Sequence, residues 1–183
     1  GIGANPAVLS ALDTLFVQGL PVAHADRLVA IQSVPLDNPT QSTGLSLQDY
    51  AAIRDRTQSF DLVDASIRWS GELGSDSPGT PPERLVGQMV TPGWFTTLGI
   101  PPQIGQAFVE PDPQPVGPAQ TVAISHALWL RRFGGDPHIV NRQIRIGGLR
   151  TVIGVMPADF RYQDSGIDYW APLAVGQQPD PGG

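Results

Sequence analysis

The segment TVAISHALWLRRFGGDP, residues 121 to 137, constrains the fold more than any other stretch of the chain. TVAIS is a short apolar run with β-branched members, and the serine that ends it is a good helix cap, able to accept from the N–H of Leu128 or Ala127. A helix is expected next, with Arg131 and Arg132 in its last turn, where the helix dipole favours cations, and Gly134 as its left-handed stop. Trp129, Leu130 and Phe133 are expected to supply the apolar contacts of that helix. Asp136-Pro137 then opens a turn and leaves His138 exposed. The following run RQIRIGGLRTVIGVM, residues 142 to 156, reads as two period-2 strands joined at Gly147-Gly148. Strand, capped helix and hairpin in this order call for a sheet with a helix packed on it.

The remainder is punctuated just as heavily, with 21 glycines and 19 prolines closing each short apolar run before it can lengthen. Asn5-Pro6 followed by Val8, Leu9, Leu12, Leu15 and Phe16 at helical spacing predicts a first helix over 6–18. RLVAIQSV, residues 27 to 34, reads as a strand. Ser46 with Asp49 three residues on begins a second helix, with Leu47, Tyr50 and Ile53 on one face and a stop at Thr57 to Ser59. One or two strands are expected over 60–73 and another over 84–91. Thr91, Pro92 and Gly99 predict a short third helix carrying Trp94 and Leu98 four residues apart, with Thr91 as its cap. DYWAPL, residues 168 to 173, is expected as a final edge strand. The stretch around Pro111, Pro113 and Pro115 reads as a loop and as a hinge between lobes.

Whole classes of chemistry are excluded by composition. All eleven basic residues are arginine, so P-loop, Schiff-base and Ser-Lys devices that need a lysine are absent. There is no cysteine, which rules out disulfides, Cys-ligated zinc, iron–sulfur clusters and Cys nucleophiles. A net charge of −6 with a pI near 4.8 and scattered arginines argues against nucleic acid as a partner. With 183 residues and 40% hydrophobic content the chain suits one α/β or α+β unit, divisible into two lobes. No run reaches the roughly 20 apolar residues of a spanning helix. The start lacks a signal peptide's basic region and cleavage site. A chain that begins without methionine and ends on PDPGG is expected to be a piece of something longer.

Ser125 and His126 invite a hydrolase reading, but neighbours in sequence rarely face each other, and the serine sits in no G-x-S-x-G elbow. His24, His126 and His138 share no zinc spacing. Glu110 with Asp112, or Asp164 with Asp168, could clasp calcium, but neither pair lies in an EF-hand pattern, and a solvated loop is the simpler expectation. Residue chemistry therefore suggests a domain that binds or transmits, with no catalytic residue, no cofactor and no metal site.

Several segments taken in order, among them GIGANPAVLSALDTLFVQGLP, DYAAIRDRTQSFD, PERLVGQMVTPGWFTTLGIPPQIGQAF and the long VAISHALWLRRFGGDPHIVNRQIRIGGLRTVIGVMPADFRY, resemble the MacB-like periplasmic core domain. The resemblance is strongest to the acidobacterial ADOP-type permeases of the MacB/FtsX superfamily. It is carried by W-x-x-R-F-G-G-D joined to a hairpin ending G-V-M-P, that is by Ser125, Trp129, Arg132, Phe133, Gly134, Asp136, Gly154 and Pro157. It implies an α+β, two-lobed fold, with residues 1–45 and 119–175 as a porter-like lobe of mixed α and β elements, 46–118 as an inserted Sabre-like lobe, and 176–183 as a tail leading toward a membrane span. It also implies a non-catalytic domain on the periplasmic side of the bacterial inner membrane. Such a domain couples ATP-driven motion of transmembrane helices to export or to periplasmic partners. The partners implied are the permease's own transmembrane helices, a separate cytoplasmic ABC ATPase, a periplasmic adaptor and a second permease copy. A periplasmic solute- or lipid-binding module is the alternative, and a Ser/His hydrolase the more distant one. The cap and hydrolase readings of Ser125 separate in one variant. Ser125→Ala is expected to lower unfolding free energy by about 1 kcal/mol in denaturant titration and to abolish no hydrolytic activity.

Overall fold

In the computed structural model, residues 8–12, 28–34, 44–74, 81–108, 121–160 and 166–173 are described. The chain divides into two compact units, residues 1–63 and 64–183. In the first unit, strands β1 (Val8–Leu12) and β2 (Ala30–Val34) pair antiparallel, from Val8 opposite Val34 to Leu12 opposite Ala30. The helix expected over 6–18 is therefore not formed across Val8–Leu12. The ladder to β2 pairs the backbone of Val8–Leu12 across strands in place of bonds within a helix. Helix α1 (Leu47–Arg56) starts as expected: Ser46 accepts from the N–H of Asp49 at 3.1 Å, and its hydroxyl donates to the Asp49 carboxylate at 2.7 Å. Tyr50 is the buried residue of that helix, and its hydroxyl donates to the Val63 carbonyl at 3.3 Å.

The second unit is built on a seven-stranded mixed sheet. Its strands are β3 (Ser66–Leu73), β4 (Glu83–Val90), β5 (Ile104–Gly105), β6 (Thr121–Ile124), β7 (Gln143–Arg145), β8 (Leu149–Val155) and β9 (Tyr169–Pro172). They lie in the order β3-β4-β9-β6-β8-β5, with β7 also on β8. β9 is parallel to β4 and antiparallel to β6, and all four of its residues are buried, so it is a central strand and not an edge strand. Four apolar residues in a row suit a position covered on both faces, and Pro172, which lacks an N–H, falls at the strand's last position. Strands from 46–118 and from 119–175 thus share one sheet.

Both faces of that sheet are packed. One carries Leu85, Val122, Ile124, Val152 and Tyr169 beneath helix α3 (His126–Phe133), together with Ile139, Ile144 and Ile146. The other carries an aromatic group in which Phe95 lies 5.8 Å from both Phe108 and Trp170 and 6.1 Å from Phe160. Each fully buried aliphatic or aromatic side chain contributes about 1.5–3 kcal/mol. Strand glycines make room for the largest of them. A Cβ on Gly87 would lie 2.2 Å from the Tyr169 Cζ, and one on Gly71 would lie 2.8 Å from its hydroxyl oxygen.

Helix α2 (Trp94–Leu98) carries Trp94, Phe95 and Leu98 into the interior and ends at Gly99, as its punctuation predicts. Its cap differs from expectation: Gly93 occupies the N-cap position, and the Thr91 hydroxyl instead donates to the Asp64 carboxylate at 2.5 Å. Thr97 donates to the other oxygen of Asp64. The Thr91 oxygen in turn accepts from the Ala65 N–H at 3.0 Å, so the hydroxyl is engaged on both sides away from the helix, and α2 has no side-chain cap. The hairpin β7–β8 turns at Gly147 (φ 59°) and Gly148 (φ 139°), both in the region that favours glycine. The proline-rich stretch with Pro111, Pro113 and Pro115, and the tail from 176, lie outside the described residues.

Gly87→Ala is expected to cost about 3 kcal/mol in chemical denaturation because Tyr169 cannot withdraw. Gly44→Ala, with nothing within 4 Å, should stay within about 0.5 kcal/mol of the native protein.

Candidate functional site

The Ser125 hydroxyl accepts from the Leu128 N–H at 3.1 Å, and its own N–H donates to the Asp168 carbonyl at 2.8 Å. Capping and sheet pairing thus employ both groups of the residue that a hydrolase reading would make a nucleophile. His126 packs its ring edge-on to Trp129, with centroids 5.4 Å apart. Trp129 in turn donates from its indole to the Asp136 carbonyl at 2.9 Å. Gly134 takes the left-handed conformation (φ 61°), with Gly134 donating to Leu130 and Gly135 to Trp129. The Asp136 carboxylate accepts from the N–H of His138, which is exposed as expected. Leu128 and Trp129 are the buried residues of α3, and Phe133 packs against the core beneath the Arg142 guanidinium, 5.3 Å from its ring. Leu130, expected among the apolar contacts, is 51% exposed: Trp129 and Phe133 share a face four residues apart, and Leu130 falls about 100° round the helix from Trp129.

The last-turn arginines do more than face the helix dipole. Arg131 meets Glu83 at 2.8 Å and Asp168 at 2.9 Å, and Arg132 meets Glu83 at 3.3 Å. Hydrogen bonding to Asp168, reinforced by Glu83 and opposed by partial burial, raises the Arg131 pKa further above its ordinary value. Exposed pairs of this kind contribute about 0.2–1 kcal/mol, so the network fixes geometry more than it adds stability. Asp168 is its most enclosed member, with a side chain 16% exposed, and its second carboxylate oxygen accepts from the Val86 N–H at 3.0 Å. Gly154 lies where β8 slips by one residue against β6, and a Cβ there would stand 2.6 Å from the Gln106 carbonyl. Pro157 follows β8, and its carbonyl accepts from Phe160 at 3.1 Å. Among the described residues no three His, Cys, Asp or Glu side chains form a group able to hold a metal, and no helix is long and apolar enough to cross a membrane. Glu110, Asp112, Asp164 and His24 lie outside the described residues.

The family model of the MacB-like periplasmic core domain matches residues 1–180. The chain belongs to this family. No curated protein sequence matches it. Among solved structures it is similar to the periplasmic region of MacB from Actinobacillus actinomycetemcomitans, at 16% identity and a TM-score of 0.56, covering 72% of this chain and 56% of that one. It is also similar to the extracellular domain of the noncanonic ABC-type transporter YknZ from Gram-positive bacteria, at 17% identity and a TM-score of 0.53, covering 70% of this chain and 62% of that one. This MacB-like core domain therefore has the mixed α/β fold of those domains, and it spans less than two thirds of either.

The signature residues of the MacB-like domain fall into two groups. Ser125, Trp129, Gly134 and Asp136 close the α3 unit on itself, whereas Arg132 reaches outward to Glu83. Four residues outside the signature prove as important: Asp64, Glu83, Gln88 and Tyr169. Gln88 is buried and accepts from the Trp170 indole at 3.1 Å. Gly71 and Gly87, inside apparent strands, are the sequence signal that a large ring approaches there. Burial raises the Tyr169 phenol above its ordinary pKa, with Asp168 adding to the rise and Arg150 opposing it. Burial likewise lowers the pKa of Arg150, and its guanidinium donates to the Ile146 carbonyl at 2.9 Å.

A phenol whose folded pKa lies above its unfolded value of about 10 contributes stability that is complete below that pH and lost as pH rises through the folded value. Urea midpoints measured at increasing pH above about 10 should therefore fall. Tyr169→Phe should flatten that decline by up to about 1.4 kcal/mol per pH unit.

Proposed function

We propose that the chain serves as the extracytoplasmic core domain of a MacB/FtsX-type ABC transporter permease, on the periplasmic side of the inner membrane, and that it transmits motion without catalysing a reaction. The family match over residues 1–180 carries this reading, and the fold it shares with the MacB and YknZ domains supports it. On this reading ATP hydrolysed by a separate cytoplasmic ATPase moves the permease's transmembrane helices, and the domain passes the displacement to exported cargo, an adaptor or another periplasmic partner. A transmitting element must resist bending, and a sheet packed on both faces and tied at one corner through Asp168 has that property. The Ser125 hydroxyl is engaged as a helix cap, which weighs against a hydrolase.

Location and coupling are tested in the full-length permease. These 183 residues hold no cysteine, so Leu149→Cys, at a residue 50% exposed, gives a single label site in the domain once any cysteine elsewhere in the permease is replaced by serine. A membrane-impermeant maleimide should react with it in intact cells, and reaction only after the inner membrane is broken would refute the placement. Asp168→Ala should lower transport output several-fold while the ATPase still hydrolyses ATP. Unchanged output from a demonstrably loosened domain would sink the transmission reading.

A further inference from the structure

The β7–β8 hairpin stands clear of its surroundings at the turn. A Cβ on Gly147 or Gly148 would meet nothing within 4 Å, and Leu149 beside them is 50% exposed. The stem is fixed: Ile144 and Ile146 are buried, Leu73 bridges Ile146, and the Gly74 N–H donates to the Arg145 carbonyl at 2.9 Å. Arg145 and Leu149 are cross-strand partners, so the exposed face of the hairpin presents a guanidinium and a large apolar side chain together. Arg150 follows, its guanidinium donating to the Ile146 carbonyl at the turn.

Charge and position both bear on what such a tip meets. Residues 137–158 hold Arg142, Arg145 and Arg150 and no acidic residue, a formal +3 in a chain of −6, which leaves −9 on the remainder. Glu72, one residue from the bridge at Leu73, faces Arg84 across the β3–β4 pair. β9 is antiparallel to β6, which is parallel to β8, so β9 runs toward the end of the sheet at which β8 begins. Continuing these registers sets Pro172 in the row of Thr121 and Thr151, two strand spacings or about 10 Å from the hairpin stem. The turn projects about 10 Å beyond that row. The chain therefore leaves β9 at the end of the sheet from which the hairpin projects.

On the permease reading, the residues beyond Leu173 lead toward a membrane span, which makes this end of the sheet the one nearest the bilayer. Resting on that reading, we infer that the hairpin tip docks on an anionic lipid surface, with Leu149 entering the headgroup layer and Arg145 and Arg150 facing lipid phosphates. Arg142, whose guanidinium lies over Phe133, sits farther back and adds to the attraction at longer range. The negative charge on the remainder of the chain is repelled by the same surface, which turns the tip toward it. A lipid surface suits the tip better than a protein does. One leucine between arginines offers no apolar centre for a protein interface of the usual size, about 800 Å² per partner, whereas mobile headgroups adapt to it. Contact this small is weak and reversible, and tethering by the permease raises its occupancy.

These 183 residues hold no cysteine, so Leu149→Cys, or Leu62→Cys at a residue 59% exposed in the first unit, carries a single environment-sensitive fluorophore. With vesicles of phosphatidylcholine and phosphatidylglycerol in equal parts, the label at position 149 should shift to the blue and the label at position 62 should not. Phosphatidylcholine alone should shift neither, and high salt should reverse the shift. In co-sedimentation with the mixed vesicles, Arg145→Gln should lower the partition of the unlabelled chain about fivefold. Arg68→Gln, an equal loss of charge at an exposed site on β3, should lower it less than about twofold. No binding to the anionic vesicles, an unshifted label at position 149 on a chain that binds, or equal losses from the two arginine variants would each overturn the proposal. Leu149 stays within the wetted headgroup layer, where a water-soluble maleimide still reaches it. The labelling of intact cells and the binding to vesicles can therefore fail independently of each other.

Discussion

Three chain segments far apart in sequence meet at Asp168, and the arrangement of the second unit depends on that meeting. Its N–H donates to the Val86 carbonyl, its carbonyl accepts from Ser125, one carboxylate oxygen accepts from the Val86 N–H and the other pairs with Arg131. β4, the junction of β6 with α3, and the start of β9 are thereby held at one corner. The same residue that admits β9 between β4 and β6 also orients the end of α3 through Arg131. A carboxylate this enclosed is costly unless each oxygen is met, and here a backbone N–H and a guanidinium meet them.

From that corner the packing follows in both directions. β9 carries Tyr169 to one face and Trp170 to the other. Tyr169 fills space that Gly71 and Gly87 leave open, and Trp170 donates to Gln88 amid Phe95 and Phe160. Two consecutive residues of a four-residue strand therefore anchor two cores. Displacing β9 would empty both, which ties the two faces of the sheet to one strand.

Much of the local structure was legible in the sequence. Ser46 and Ser125 cap their helices, Gly134 and Gly99 stop theirs, and Gly147-Gly148 turns the hairpin, because each of these decisions rests on bonds within a few residues. The resemblance that those residues carry also led to the family. Two of the misreadings share one cause, a partner distant in sequence. The Thr91 hydroxyl is engaged by Asp64, 27 residues away, and does not cap α2, and Val8–Leu12 follows a ladder to Ala30–Val34 in place of its own helical spacing. Leu130 was counted as a contact from its character, although its position on the helix turns it to solvent.

The sequence by itself determined where elements begin and end in the 121–156 stretch, which classes of chemistry the chain cannot perform, and its family, since composition and short-range hydrogen bonds are properties of the chain alone. Tertiary structure alone decided that DYWAPL lies at the centre of the sheet and that Arg131 answers to Asp168 and Glu83. Strand order is a global outcome: a short apolar run pairs with equal local propensity at an edge or in the middle, and only the competition among all strands for cover selects one place.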